Sequence, residues 1–249
     1  LAHGAKLAGT PPARAVRGKN TNAATGCNDP LGTSGHVLLK TGSIIIMTAS
    51  LILLTGKAEW PFLRDVLKEQ AADIRISWAP SGRELEYTCG GQDVAKARLI
   101  AFCSSVIVRP EILSLFSGPA YNFHPGPPSY PGVHPANFAI YEGAMRFGST
   151  AHVMTSEVDG GPLVGVEWFD IPDGINSERL EERAFTSLFQ LFTSLAPALV
   201  DIDNTLPVLN EAWSGSRRTI AEFEALSQPR TPTNDEERRL LERAFGTSP

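Results

Sequence analysis

With 249 residues, 42% hydrophobic and 20% charged, the chain is long enough for one globular domain of moderate size plus an appendage. Its net charge of −5 is unevenly spread: Lys6, Arg14, Arg17, Lys19 and Lys40 against Asp29 give residues 1–46 a net +4, which leaves −9 for the rest. A body this acidic lacks the broad basic patch that a nucleic-acid partner needs, and the longest apolar run, Ser43 to Leu54, is too short to span a bilayer, so neither nucleic acid nor a membrane is expected as a partner.

Cys27, Cys89 and Cys103 are odd in number and show no metal-ligand or redox spacing. The pattern fits a reducing compartment, and a cytoplasmic location is expected.

Residues 1–46 are rich in Ala, Gly, Thr and Asn and show no hydrophobic period. They read as a disordered or non-native extension, with a transit peptide as the alternative, and the functional chain opens near Met47. From Leu51 the pattern changes. "SLILLTG" reads as a buried strand ending in a glycine turn, and "AEWPFLRDVLKEQ" as a helix with Phe62, Val66 and Leu67 on one face and Pro61 in its first turn. "DIRISWAP" alternates like a strand, and "ARLIAFCSSVIV" is a second continuous apolar run. "PEILSLF" is a short helix opening with proline, and "AYNF" a short strand. Strands alternating with helices predict an α/β fold: a Rossmann-like open, mostly parallel sheet with helices on both faces.

After a proline-rich loop, "HPANFAIYEGA" fits a helix ending at Gly143, and "GSTAHVMT" and "PLVGVEWFDI" read as further strands. Asn176 or Ser177 caps a long helix with Leu180, Ala184, Leu188, Leu191 and Leu195 on one face. This body, residues 47–205, is followed by a loop-rich C-terminal extension, 206–249, ending in the charged helix "NDEERRLLERAF". The extension is open to two uses, covering the sheet or making a homodimer contact.

The chemistry-bearing residues fall at the strand ends. Asn122 and His124, two apart on a strand, share a face at its carboxyl end, the edge where open α/β sheets bind ligands. Downstream, "STAHVMTSEVDGGPL" places His152 on a strand and Asp159 before a Gly-Gly turn that lets backbone approach a ligand. Taken singly, each residue has a plainer use: His124 and His152 as satisfied structural histidines, Asp159 as a turn residue, His134 as a partner for the loop backbone. Together they form a chemical set. An Asn donates to a developing oxyanion, a protonated His adds a second donor and moves protons, and an Asp keeps the imidazole charged. No Ser or Cys nucleophile motif accompanies them, which suits direct acyl transfer better than a covalent acyl-enzyme.

"NFHPGPPSYPGVHPANFAIYEG" followed by "GSTAHVMTSEVDGGPLV" resembles the formyltransferases that use 10-formyltetrahydrofolate, clearly over residues 97–170 and in outline from 49 to about 205. The resemblance implies that Asn122, His124 and Asp159 form the catalytic triad with His152 in support. It implies a pterin pocket lined by Val106, Ile107 and Val108 and closed by Thr155, Ser156, Glu157 and Val158. The implied reaction moves a formyl group from 10-formyltetrahydrofolate to the amine of a small acceptor. Formyltetrahydrofolate hydrolysis and silent folate binding are the alternatives. "GPPS" after His-Pro departs from the family's usual "SLLP". The turn after the first strand, "TGKAEWP", lacks the Gly- and Ser-rich phosphate-binding pattern of the purine-pathway members, so an amino-sugar nucleotide is preferred as acceptor over glycinamide ribonucleotide.

Overall fold

The computed structural model describes residues 49–91 and 93–246. The expectations for residues 1–46 lie outside the described residues. Six strands form one sheet in the order β2-β1-β3-β4-β5-β6: β1 (Ser50–Leu54), β2 (Arg75–Ala79), β3 (Ala97–Phe102), β4 (Tyr121–His124), β5 (Arg146–Val153) and β6 (Leu163–Asp170). The first four pair in parallel, whereas β5 is antiparallel to β4 and β6 to β5. This is the expected open, mostly parallel α/β sheet.

The two continuous apolar runs become β1 and β3 because both of their faces are covered. Leu51, Leu53, Ile100 and Phe102 pack with α1 (Trp60–Gln70) and α5 (Ser177–Val200). Ile52, Leu54, Leu99 and Ala101 point the other way, toward α2 (Gly82–Gly91) and α3 (Pro110–Leu113). The same alternation sets β4: Tyr121 and Phe123 join the α1–α5 layer, which turns Asn122 and His124 to the opposite face.

Two sequence expectations need correcting. Helix α1 buries Leu63 and Leu67 with Trp60 half-buried beside them, while Phe62 is 65% exposed. Residues 60, 63 and 67 form the better helical stripe, and Trp60 is fixed by stacking on Trp78 of β2 at 5.8 Å. Helix α2 had not been anticipated, although its signal was present. Ser81 and Glu84 pair at its N-terminus as a Ser-x-x-Glu cap, and Leu85 and Cys89 bury one face.

Helix α5 is capped by Asn176, whose side chain accepts from the Arg179 amide at 3.0 Å. Its other end is capped from the sheet. Arg98 of β3, 3% exposed, donates to the carbonyls of Ala198, Leu199 and Asp201 at 2.9–3.0 Å and to that of Asn204. The first two are among the carbonyls that a helix C-terminus leaves unpaired. Arg98→Met is expected to lower stability by roughly 3 kcal/mol, because it takes the donor from several carbonyls at once, that of buried Leu199 among them. Denaturant unfolding checks this; a midpoint close to wild type would show that water replaces the guanidinium.

The loop after β4 leads to α4 (Pro135–Tyr141), and the chain ends in α6 (Ile220–Ser227) and α7 (Asp235–Phe245). Asn137 of α4 donates to the Ala244 carbonyl at 2.7 Å, tying α7 to the body through a third apolar cluster. Between α5 and α6 an irregular strap crosses the sheet edge. The Leu206 amide donates to the Tyr121 hydroxyl at 2.9 Å, the Leu209 amide to the Leu163 carbonyl at 2.8 Å, and the Ser214 and Gly215 amides to the Pro128 carbonyl at 3.0 and 3.2 Å. Among the described residues no helix is long and apolar enough to cross a membrane.

Candidate active site

Asn122 of β4 lies directly across from His152 of β5, and both side chains leave the sheet on the same face as His124. The Asn122 Nδ2 lies 3.0 Å from His152 Nε2 and 3.5 Å from Asp159 Oδ1. Asp159 enters from the turn before β6. It sits in a left-handed conformation, φ +48, that brings its carboxylate back over the strands. Its Oδ2 lies 3.6 Å from His124 Nδ1 and its Oδ1 lies 3.3 Å from His152 Nε2. The Gly132 amide donates to Oδ2 at 2.8 Å. The amide, both imidazoles and the carboxylate therefore meet around one point. His124, His152 and Asp159 are buried, whereas Asn122 is half-exposed and forms the accessible side of the group.

The far side of each ring fixes its orientation. His124 Nε2 faces the Tyr130 carbonyl at 3.0 Å and His152 Nδ1 faces the Val153 carbonyl at 2.9 Å. A carbonyl only accepts, so both nitrogens carry a proton. His152 Nε2 faces both the Asn122 amide and Asp159 Oδ1. Burial pushes the His124 pKa down, more strongly than Asp159 and the Tyr130 carbonyl pull it up. Burial thus favours the neutral form of the ring, against the imidazolium that the residue pattern led one to expect. For Asp159, burial pushes the pKa up, but the His152 bond, the His124 ring and the Gly132 amide outweigh it and hold the carboxyl at about 2.

Both shifts give acid sensitivity of the same sign. Below the ordinary histidine pKa of about 6.5 the unfolded chain takes up a proton that folded His124 refuses. From the ordinary aspartate value down to about 2, the unfolded chain likewise protonates an aspartate that stays charged in the fold. Stability is expected to fall as pH drops through both windows, and His124→Gln should flatten the upper one. Unfolding free energies between pH 7 and 3 check this; an unchanged slope in the variant would remove His124 as the source.

The other expected site residues are placed less tightly. Val108 is buried in the α2–α3 layer, which leaves its main chain, and not its side chain, for a ligand. Val106 is half-buried against the same layer and Ile107 is 71% exposed. Thr155, Ser156 and Glu157 are exposed and Val158 is half-buried, with Thr155 Oγ1 bonded to the Glu157 amide and carbonyl in a tight turn. Met154, at the head of that turn, packs on the same layer as Val106. His134 does not serve the loop as expected: its ring stacks on Phe223 of α6 at 3.8 Å. Open grooves of about 420 Å³ beside Phe169 and Glu182 and about 520 Å³ beside Ser77 and Tyr87 include none of the four central residues.

Sequence reading missed four contributors. The Tyr130 carbonyl and the Gly132 amide belong to the proline loop, where "PG" at 131–132 signalled only a turn. Thr150 Oγ1 donates to the Gly126 carbonyl at 2.7 Å and so ties that loop to β5. Trp213, an isolated aromatic in the C-terminal strap, gave no signal. Cys103, near the same edge, is held as the neutral thiol: burial pushes its pKa up to about 12.

Residues 92–192 match the family model described as formyl transferase. The chain is 32% identical over 115 residues to a phosphoribosylglycinamide formyltransferase of Mycobacterium tuberculosis, a match covering 46% of this chain and 53% of that protein. The chain thus spans about half the length of that relative. Among solved structures, a sugar N-formyltransferase from a Shewanella species superposes with a TM-score of 0.64 at 18% identity, covering 80% of this chain and 88% of the other. An N-formyltransferase from Helicobacter canadensis, described in complex with folinic acid and dTDP-3-aminofucose, gives 0.60 at 13% identity over 80% and 81%. At these identities the structural likeness concerns the fold.

Proposed function

We propose that the chain transfers a formyl group from 10-formyltetrahydrofolate to the amine of a small acceptor, with Asn122, His124 and Asp159 as its working groups. The observation that carries this reading is the convergence of these side chains with His152 at the β4 edge. The amine nitrogen attacks the formyl carbon, and the carbonyl electrons move onto oxygen. The accessible Asn122 Nδ2 donates to that oxygen, and the charge raises the proton affinity of the neighbouring His124 ring. Asp159, ionised before the amine arrives, takes up the ammonium proton; the oxygen's electrons then re-form the carbonyl of the new formamide as the bond to the tetrahydrofolate nitrogen breaks, and that nitrogen receives the proton. His152 holds the Asn122 amide in place through the 3.0 Å contact between their side chains.

The pterin is assigned to the main chain of Val106, Ile107 and Val108 and to the turn from Thr155 through Ser156 and Glu157 to Val158. For the acceptor, an amino-sugar nucleotide is preferred over a phosphorylated glycinamide. Glu59 sets its carboxylate against Gly56 in the turn after β1, which makes that turn repel a phosphate. Incubation with 10-formyltetrahydrofolate, with and without a panel of amines, tests the proposal. Amine-dependent release of tetrahydrofolate with a formylated product is expected. Equal release without amine would assign hydrolysis, and binding without turnover a folate-binding role.

A further inference from the structure

Trp213 lies beyond the segment that matches the family model, in the strap between α5 and α6. Its ring stands edge-on to both imidazoles, with centroids 5.9 Å from His124 and 5.1 Å from His152 and interplanar angles of 68° and 80°. Its indole N–H donates to the Gly161 carbonyl at 2.9 Å, within the Gly-Gly turn that follows Asp159. Residues 207–212 before it are all exposed, so along this part of the strap the indole is the side chain that reaches the body. The strap is fastened immediately after it. Gly132 and Arg218 form a parallel bridge, the Arg218 amide donates to the Pro131 carbonyl at 2.8 Å, and the Arg218 guanidinium pairs with Glu142. The loop so clamped is the one that presents the Tyr130 carbonyl and the Gly132 amide to His124 and Asp159.

We propose that Trp213 is a positioning residue of this site: its indole covers His124 and His152 against water while its N–H holds the turn that carries Asp159, so that the formyl carbon meets an amine in preference to water. The inference rests on the formyl-transfer reading for its last clause and on geometry alone for the rest. Burial is the largest influence lowering the His124 pKa, and the indole supplies part of that burial. The charged or polar groups facing His124 are Asp159, His152 and the Tyr130 carbonyl; of the strap's charges beside Trp213, Glu211 and Arg217 are exposed and Arg218 is paired with Glu142.

The test compares Trp213→Ala with Trp213→Phe, which keeps an aromatic edge but loses the N–H. The titration midpoint of His124, followed by NMR in the free protein, is expected to rise by about one pH unit in the alanine variant and to stay near wild type in the phenylalanine variant. This readout needs no turnover, so its failure is distinct from failure of the formyl-transfer reading. With donor present, the share of tetrahydrofolate released without amine is expected to rise about tenfold in Trp213→Ala, with kcat for transfer more affected than KM. If Trp213→Ala does not fold, Trp213→Leu must shift the midpoint in the same direction. An unmoved His124 midpoint in the folded alanine or leucine variant, or equal shifts in the alanine and phenylalanine variants, overturns the shielding role.

Discussion

Asn122→Ala is expected to lower the rate of formyl transfer by about 10²–10³, the usual effect of removing one oxyanion donor. Asn122 is the half-exposed member of the central group, and its Nδ2 is held 3.0 Å from His152 Nε2 without being fastened into the core. The loss should therefore appear in kcat with the thermal midpoint almost unchanged. His124→Ala should cost a similar factor in rate but also some stability, since it leaves the Tyr130 carbonyl without its donor. The pair of variants thus separates chemistry from support. Single-turnover transfer alongside unfolding curves gives both numbers. Near-normal turnover in a folded Asn122→Ala protein would remove the amide from the mechanism.

Gly132→Ala is expected to destabilise the fold by at least about 2 kcal/mol and to abolish most activity. The residue has φ +97, which L side chains rarely adopt, and a Cβ there would run into the carbonyl of Arg218. Relieving that clash moves the Gly132 amide, which donates to Asp159 Oδ2 at 2.8 Å and helps to keep the carboxylate ionised. Gly174→Ala is the control. It also has a positive φ, +70, but a Cβ there meets nothing within 4 Å. It should cost about 1 kcal/mol and leave transfer intact. Equal unfolding midpoints for the two variants would show that the Arg218 contact yields easily, and that the strap is not clamped at this point.

The sequence by itself determined the α/β sheet and the residues that converge on its edge. The apolar runs of β1 and β3 are continuous because both faces are buried, and a strand's period of two puts Asn122 and His124 on one face whatever else the chain does. Period alone misread α1, where stacking of Trp60 on Trp78 selected Leu63 and Leu67 over Phe62. The tertiary structure decided everything that depends on groups far apart in the chain. The antiparallel pairing of β4 with β5 sets His152 across from Asn122, and a left-handed Asp159 turns its carboxylate onto both rings. The C-terminal strap lays Trp213 over those rings and seals the proline loop. Protonation was decided there as well. An imidazole's charge follows from how much water the fold removes from it, and no local pattern in the residues around His124 encodes that amount.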